Sequence, residues 1–235
     1  MTNDYSYIRR NFEELMDEIA SLSSKIGVSA PTLVAVTKSG TDEELLELVR
    51  AGALDIGENR PQEVKRRLEL IEAAGLSARM HEIGTLQRNK VKTVIDKASL
   101  IHSVDSFKLA CDIDRLAEKN GIVMPVLIEV NSAKEECKGG VLPEDAERLL
   151  IEMMSLKSIK VRGLMTMGPV SETAEDLRGY FRLTKKLFDG FSEKYGFGES
   201  PILSMGMSDS YRVAIEEGST LVRVGRKLFI KREEI

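Results

Sequence analysis

Short apolar segments recur along the chain, and most end in a glycine or a polar residue. Helical patterns with recognisable starts separate them: Thr41 precedes Glu44 as a capping box, and Pro61 stands in a first helical turn. Before the first segment, roughly residues 3–26 repeat apolar positions at the spacing of one helical face and predict an additional helix. The apolar segments themselves predict eight β-strands, at residues 32–38, 53–58, 79–84, 99–104, 124–131, 160–166, 202–206 and 220–225.

Alternating strands and helices predict a parallel sheet that helices cover. Eight such units in 235 residues favour a single (β/α)8 TIM barrel over an open doubly wound sheet, although the count alone does not exclude the open sheet. No linker rich in Pro, Gly or Ser divides the chain, so we predict one domain over residues 1–235.

Composition narrows the function classes. With 42% hydrophobic and 31% charged residues and a net charge of -4, the chain is typical of a globular protein and does not offer a nucleic-acid surface. No apolar stretch approaches the roughly 18 residues that span a bilayer, and no secretion signal opens the sequence, so we expect a cytoplasmic protein without a membrane partner. Cys111, Cys137, His81 and His102 show no metal-ligand spacing, so no metal site is predicted.

Lys38 closes the apolar segment 33–37, and a helix signal follows at once. Partial desolvation at the mouth of such a strand would favour the neutral amine, which is the form that attacks carbonyl groups. The simpler alternative is a lysine that ends a strand and extends to water. In a barrel, however, the chemistry lies at the carboxyl ends of the strands, and Lys38 is at such an end.

Two predicted strands near the C-terminus lead into glycine turns, at Gly206 and Gly225. A glycine turn before a helix exposes backbone N–H groups, and barrels often bind a phosphate in the loops after strands seven and eight. The alternative is that Ser208 or Asp209 only caps the following helix.

Arg223 precedes Gly225 by two residues, so both positions face the same side of the strand. An arginine that points into a barrel mouth needs an acceptor there. Either a ligand supplies it, or an acid of the rim such as Glu58 or Asp209 forms a salt bridge.

Six motifs in order give the chain a family resemblance: VAVTK at 34–38, IGEN at 56–59, HEIGTLQRNK at 81–90, GLMTMGP at 163–169, LSMGMSD at 203–209 and VRVG at 222–225. Over nearly the whole chain they resemble the YggS/PROSC family of pyridoxal phosphate (PLP) homeostasis proteins. Two features depart from that pattern. Thr85 stands where the family usually has a histidine, and the basic pair Arg226 and Lys227 follows Gly225.

The resemblance implies a barrel like the N-terminal domain of alanine racemase, with PLP held as an aldimine on Lys38. By motif, Asn59 would flank the cofactor ring, and Arg223 would meet the pyridine nitrogen. Met165, at the end of the sixth strand, is a further candidate cofactor contact. The resemblance also implies residues around the phosphate, which are Ser204, Gly206, Met207, Ser208 and Gly225.

The family function implied is control of intracellular PLP supply without established turnover, with PLP-dependent apo-enzymes as candidate partners. A low-activity PLP-dependent amino-acid racemase or lyase is the alternative, but Lys38 serves one face of a substrate and racemisation needs proton donors on both. A third hypothesis is a barrel lyase or aldolase that forms a Schiff base between Lys38 and a sugar phosphate. We expect a monomer, because the racemase dimer depends on a further domain that does not follow the last predicted strand.

Overall fold

A closed barrel of eight parallel strands forms the centre of the molecule, with the strands hydrogen-bonded in sequence order and β1 pairing with β8. The computed structural model describes residues 4–135, 138–171 and 173–231. The predicted (β/α)8 TIM barrel is confirmed. Its strands are β1 (Thr32–Val36), β2 (Asp55–Glu58), β3 (Arg79–Glu82), β4 (Ala98–Val104), β5 (Met124–Val130), β6 (Ile159–Thr166), β7 (Ile202–Ser204) and β8 (Leu221–Val224).

Helices follow the strands and form the outer layer. Both hydrogen bonds of the predicted capping box are present, from Thr41 N to Glu44 Oε2 (2.6 Å) and from Glu44 N to Thr41 Oγ1 (3.3 Å). Short 3-10 turns cover Arg88–Lys90, Glu175–Leu177 and Arg226–Leu228. The α-helices are α1 (Ser6–Ile26), α2 (Asp42–Arg50), α3 (Pro61–Ala73), α4 (Val91–Val94), α5 (Phe107–Lys119), α6 (Ala146–Met153), α7 (Arg178–Tyr195) and α8 (Tyr211–Glu216).

The predicted elements were too long at the barrel mouth. β1 ends at Val36, two residues before the predicted end, and β7 ends at Ser204 because Gly206 (φ +90°) turns the backbone away from the ladder. The sequence signals at Pro143 and at Ser171 or Thr173 predict earlier starts for α6 and α7 than residues 146 and 178, where these helices begin. The hydroxyl of Thr173 accepts a hydrogen bond from Asp176 N (3.4 Å), in the 3-10 turn before α7. The rim of the barrel therefore consists of loops that the sequence pattern assigned to strands and helices.

The predicted N-terminal helix is present as α1, and its apolar face is buried against the rest of the protein. It packs on α2 and α8, with Ile8, Leu15 and Ile19 almost fully buried. The side chain of Asn11 donates hydrogen bonds to the carbonyls of Leu228 (3.2 Å) and Ile230 (2.9 Å). The first helix thus fastens the segment that follows the last strand. No helix among the described residues is long and apolar enough to cross a membrane.

Most of the apolar core lies between the strands and the helices. The interior of the barrel holds a separate, smaller apolar cluster made of Val34, Leu100, Leu127, Met165 and Leu221. The remaining interior includes buried polar side chains, among them His102, Ser204 and Arg223. Buried polar groups are costly unless they are hydrogen-bonded, so this part of the interior points to a use other than packing.

Gly163 in β6 provides a test of the barrel geometry. Its φ is +145°, and an added Cβ would lie 1.9 Å from the carbonyl oxygen of Ile202 in β7. We expect Gly163→Ala to lower the free energy of unfolding by at least about 2 kcal/mol, because backbone strain and a backbone clash combine. Gly190→Ala is the matched control, since nothing lies within 4 Å of its position in α7. It should raise stability by about 0.5–1 kcal/mol. Urea unfolding of both variants measures the difference, and equal effects would contradict the described register.

Candidate functional site

A cavity of about 580 Å³ opens at the mouth of the barrel, among the loops that follow the strands. One wall comes from the segment after β6, including Met167, Gly168 and Pro169. The segments at the carboxyl ends of β1, β2, β3, β5, β7 and β8 supply the rest, as expected for a barrel. Six of the residues predicted from sequence line this cavity: Lys38, Asn59, Met207, Ser208, Arg223 and Gly225.

Lys38 is exposed on the cavity wall. A turn closed by the hydrogen bond from Gly40 N to the carbonyl of Thr37 (2.9 Å) carries it beyond the buried strand. The side chain of Lys38 makes no hydrogen bond or ion pair with any described residue. The prediction of an amine partly desolvated by the protein is therefore wrong, because the strand ends before Lys38 and leaves its side chain in the open mouth.

Arg223 forms the floor of the cavity and is only 3% exposed. Its Nη1 donates to Ser204 Oγ (2.5 Å), and its Nη2 donates to the carbonyl of Thr166 (3.1 Å). Burial lowers the pKa of Arg223 to about 10, so the guanidinium remains charged at neutral pH. Its hydrogen-bond partners are both neutral. The positive charge thus favours a ligand that brings an electron-rich atom into the cavity.

Neither acid proposed from sequence forms a salt bridge with Arg223. Glu58 accepts a hydrogen bond from the hydroxyl of Thr37, and Asp209 pairs with Arg226. Arg223 lies beside Val34 in the interior, whereas Glu58 is held at the end of β2 by Thr37 and Asp209 is exposed on the loop before α8. That alternative for Arg223 is wrong.

The turn 206–210 before α8 exposes backbone donors. Met207 N donates to Ser210 Oγ (3.1 Å), and the hydroxyl of Ser208 accepts from Gly225 N (3.2 Å). Neither Ser208 nor Asp209 caps α8 with its side chain, so the capping alternative is also wrong. Among the described residues, no group accepts a hydrogen bond from the amides of Ser208 and Asp209. These free N–H groups suit an anionic oxygen such as that of a phosphate.

Two glycines allow the backbone to approach closely here. A Cβ on Gly206 would lie 2.5 Å from Ala214 Cβ, and a Cβ on Gly225 would lie 2.8 Å from the carbonyl oxygen of Val36. Arg223 N also donates to the carbonyl of Gly206 (3.0 Å), which joins the two turns. The residues present therefore fit a phosphorylated aldehyde: an amine, a buried guanidinium and a backbone cradle surround one cavity.

Three predicted residues lie off the cavity wall. Met165 is buried in the apolar cluster inside the barrel, and Ser204 lies beneath Arg223, whose guanidinium it holds. Gly206 is buried behind the turn. The positions of these three residues depend on the residue at which β6 and β7 end. The motif alone does not specify that residue.

Sequence reasoning missed one wall of the cavity. Lys138 lines it, and its amine contacts Glu135 Oε2 (2.6 Å) and donates to the carbonyl of Gly168 (3.1 Å). The GLMTMGP motif, which continues past β6, was the available signal. The two residues of the basic pair after Gly225 have different surroundings. Arg226 lines the cavity, whereas Lys227 donates to the hydroxyl of Tyr211 (2.8 Å).

No group of three His, Cys, Asp or Glu side chains among the described residues is placed to hold a metal ion. Cys111 is a half-buried free thiol on α5, and Cys137 lies outside the described residues. Thr85 is exposed on the loop after β3 and does not line the cavity.

Buried carboxyl groups lie beneath the rim. Glu82 is fully buried at the end of β3; its Oε1 accepts from Gly84 N (3.1 Å), and its Oε2 has no partner among the described residues. Burial, together with the neighbouring charge of Glu58, raises the pKa of Glu82 to about 8. Burial and Asp105 raise the pKa of Glu129 to about 7. At neutral pH the region thus carries less negative charge than its composition suggests.

The raised pKa of Glu82 has a consequence for stability. The folded protein keeps the proton up to about pH 8 while the unfolded chain loses it near 4.5, so stability should fall as pH rises between these values. Between these pH values we expect the free energy of unfolding of Glu82→Gln to fall by a few kcal/mol less than that of the wild type. Urea unfolding from pH 5 to 9 measures it, with Glu193→Gln on the exposed face of α7 as control. Parallel curves for wild type and Glu82→Gln would contradict the assignment.

The chain is similar to a known domain family and, within it, to one group of named proteins. The family model described as "Alanine racemase, N-terminal domain" matches residues 6–232, in agreement with the barrel. A pyridoxal phosphate homeostasis protein of Aquifex aeolicus (strain VF5) is 44% identical over 207 residues, 88% of this chain and 90% of that protein. The chain therefore belongs to the alanine racemase N-terminal domain family, in the group of pyridoxal phosphate homeostasis proteins.

Solved structures agree with this placement. PipY of Synechococcus elongatus PCC7942, solved with PLP bound, is 28% identical with a TM-score of 0.82, covering 95% of this chain and 100% of that chain. A protein described as unknown from Bifidobacterium adolescentis is 35% identical with a TM-score of 0.87, covering 97% of this chain and 98% of that chain. The family resemblance inferred from the motifs is confirmed.

Proposed function

We propose that the protein binds PLP at the barrel mouth, bonds covalently to its aldehyde through Lys38, and acts in PLP homeostasis as a carrier or regulator. The observation that carries this proposal is the free amine of Lys38 on a cavity that also presents a buried guanidinium and unpaired backbone amides. When bound, PLP supplies an electron sink for amino groups attached to it. The PLP-bound structure of PipY supports the choice of cofactor.

Two lysines line the cavity, and their surroundings distinguish them. The amine of Lys138 is held in place by the carboxylate of Glu135 (2.6 Å) and the carbonyl of Gly168 (3.1 Å). Lys38 has no such partner among the described residues, so its amine can move to an aldehyde in the cavity and add to it, with loss of water. Lys38 is therefore the attachment point.

The other cavity residues would hold the rest of the cofactor. Arg223 would donate to the pyridine nitrogen, and a guanidinium there opposes protonation of that nitrogen. The amides of Ser208 and Asp209, with the charge of Arg226 beside them, would bind the phosphate, and Asn59 would flank the ring. An unprotonated ring is a weaker electron sink, which favours holding the cofactor over using it.

A racemase needs a second proton donor besides Lys38. Tyrosine, histidine and cysteine are absent from the described residues that line the cavity. Lys138 also lines the cavity, but its amine contacts the carboxylate of Glu135. The hydroxyl of Tyr211 points elsewhere and bonds to Glu18. This arrangement supports a carrier over a dedicated racemase or lyase.

The proposal extends to the setting of the protein. We place it as a single-domain monomer of the cytoplasm that passes PLP to PLP-dependent apo-enzymes. The exposure of Lys38 and Asn59 at the mouth supports this role, because incoming amines of a recipient protein would reach the cofactor there.

Covalent attachment is tested by absorbance before and after borohydride reduction, followed by peptide mapping. We expect a visible band in the wild type that becomes a fixed pyridoxyl group on Lys38. Lys38→Ala should lose the band with an unchanged melting temperature, since the side chain is exposed, and Lys138→Ala should keep it. An adduct on Lys138 would contradict the assignment. A colourless wild type that ignores added PLP would favour the sugar-phosphate barrel instead.

Proton exchange at Cα separates the carrier from the racemase. We expect the PLP-loaded protein to exchange the Cα proton of L-alanine in D2O no faster than free PLP, because the described cavity wall offers no tyrosine, histidine or cysteine and the amine of Lys138 is held by Glu135. NMR measures the exchange, with Lys38→Ala plus PLP as the blank. Exchange well above that of free PLP would refute the pure carrier and support the low-activity enzyme.

A further inference from the structure

A row of hydrogen-bonded side chains crosses the interior of the barrel and ends at Arg223. It starts at the surface, where Arg79 donates to both oxygens of Asp55 (2.6 Å each). The buried residues that come after Arg79 in this row are called the histidine relay. They are Asp55, His81, His102 and Ser204. The joined atoms are Asp55 Oδ1 and His81 Nε2 (2.9 Å), His81 Nδ1 and His102 Nε2 (3.0 Å), His102 Nδ1 and Ser204 Oγ (3.0 Å), and Ser204 Oγ and Arg223 Nη1 (2.5 Å).

The relay connects opposite walls of the barrel. Asp55, His81 and His102 lie on the neighbouring strands β2, β3 and β4, whereas Ser204 ends β7. His102 and Ser204 are 0% exposed, and the other two members are at most 6% exposed. An apolar interior would fill this space at lower cost than two imidazoles. The complete set of hydrogen bonds is what makes the polar interior tolerable.

The protons of the relay have a defined order. Although burial opposes it, hydrogen bonds from Arg79 and His81 lower the pKa of Asp55 to about 2, so Asp55 accepts and His81 Nε2 donates. Burial holds the pKa of His102 well below its usual value, so His102 is neutral and carries one N–H. In the proposed order His81 carries its single proton on Nε2, so His102 Nε2–H donates to His81 Nδ1, and His102 Nδ1 accepts from the hydroxyl of Ser204.

This order makes Ser204 a pure acceptor toward Arg223. Its only proton is committed to His102, so its lone pairs face the guanidinium. The opposite order would make His102 Nδ1 a donor to Ser204 and leave the hydroxyl proton of Ser204 buried without a described acceptor. A buried unpaired donor is costly, which favours the first order.

We propose that His81 and His102 are positioning residues for the cofactor: through Ser204 they fix the orientation of the Arg223 guanidinium at the floor of the PLP cavity. This inference rests on the proposed function, since Arg223 matters as a cofactor contact. The relay acts on one nitrogen of the guanidinium, and the carbonyl of Thr166 holds the other. Without His102, the Ser204 hydroxyl would rotate and its proton would compete for the space of the guanidinium N–H.

The proton order is tested first in the PLP-free protein. The chain has only two histidines, both in the relay, so 15N-labelled histidine gives four ring-nitrogen signals that a single variant assigns. Long-range 15N–1H correlation should show Nε2–H and bare Nδ1 on both rings. A proton on Nδ1 of His102, or two protons on His81, would overturn the proposed order. This measurement uses the wild type and does not depend on cofactor binding.

Positioning is tested with His102→Leu and His102→Asn, which are matched in size. The amide oxygen of Asn replaces Nδ1 as acceptor for Ser204, whereas Leu offers none. We expect His102→Leu to bind PLP about ten-fold or more weakly with a shifted absorbance band, because a hydrogen bond to a charged group loses its support. His102→Asn should recover most of the affinity. A merely structural role would lower both melting temperatures and leave the PLP affinity and absorbance of the folded variants unchanged.

A double-mutant cycle tests whether His102 acts through Ser204. We expect the effects of His102→Leu and Ser204→Ala on PLP affinity to be strongly non-additive, since each interrupts the same connection. Additive effects would overturn the proposal. If His102→Leu does not fold, the cycle is run with His102→Ala, which also lacks an acceptor for Ser204. A wild type that binds no PLP refutes the proposed function. A wild type that binds PLP, with both His102 variants equal to it, refutes the positioning role alone.

Discussion

The pairing of β1 with β8 is the interaction on which the rest of the structure depends. It places Val34 beside Arg223 and Ala35 beside Val224, so residues nearly 190 positions apart in sequence share one mouth. Lys38 and Gly225 meet in the cavity only because this ladder closes the barrel. In an open sheet the two strands would lie at distant edges, and an amine from the first loop would not share a cavity with a phosphate cradle from the last two.

The interior shows how the protein combines stability with binding. Apolar side chains fill one part of the barrel, and ionisable groups occupy the remainder. Arg223 keeps its charge at neutral pH although burial lowers its pKa to about 10, and burial together with the charge of Glu58 raises the pKa of Glu82 to about 8. Both are expensive in a low-dielectric interior and would be replaced if packing were the only requirement. The energetic cost of burying Arg223 and Glu82 is consistent with a cavity whose floor presents one positive charge and little negative charge.

Much of the fold follows from the sequence, because the spacing of apolar segments and the capping signals are local properties. The strand-end rule also brought Lys38, Asn59, Ser208 and Arg223 to one rim. The errors are at the strand ends: whether a side chain lies on the wall or below it depends on the residue at which the ladder stops, as Ser204 shows. His81 and His102 were considered only as metal ligands, since their connection to β7 exists only across the closed barrel.

The contact of Asn11 with the carbonyls of Leu228 and Ile230 has a consequence for synthesis on the ribosome. The first helix emerges long before these partners, so the side chain of Asn11 stays unpaired until residues 228–230 have left the exit tunnel. Late-forming, non-local contacts of this kind delay folding until most of the chain is available. The pocket shares this late timing, because Arg223, Gly225 and Arg226 line it, so a nascent chain that has not yet released them would not withdraw free aldehyde from the cell's pool.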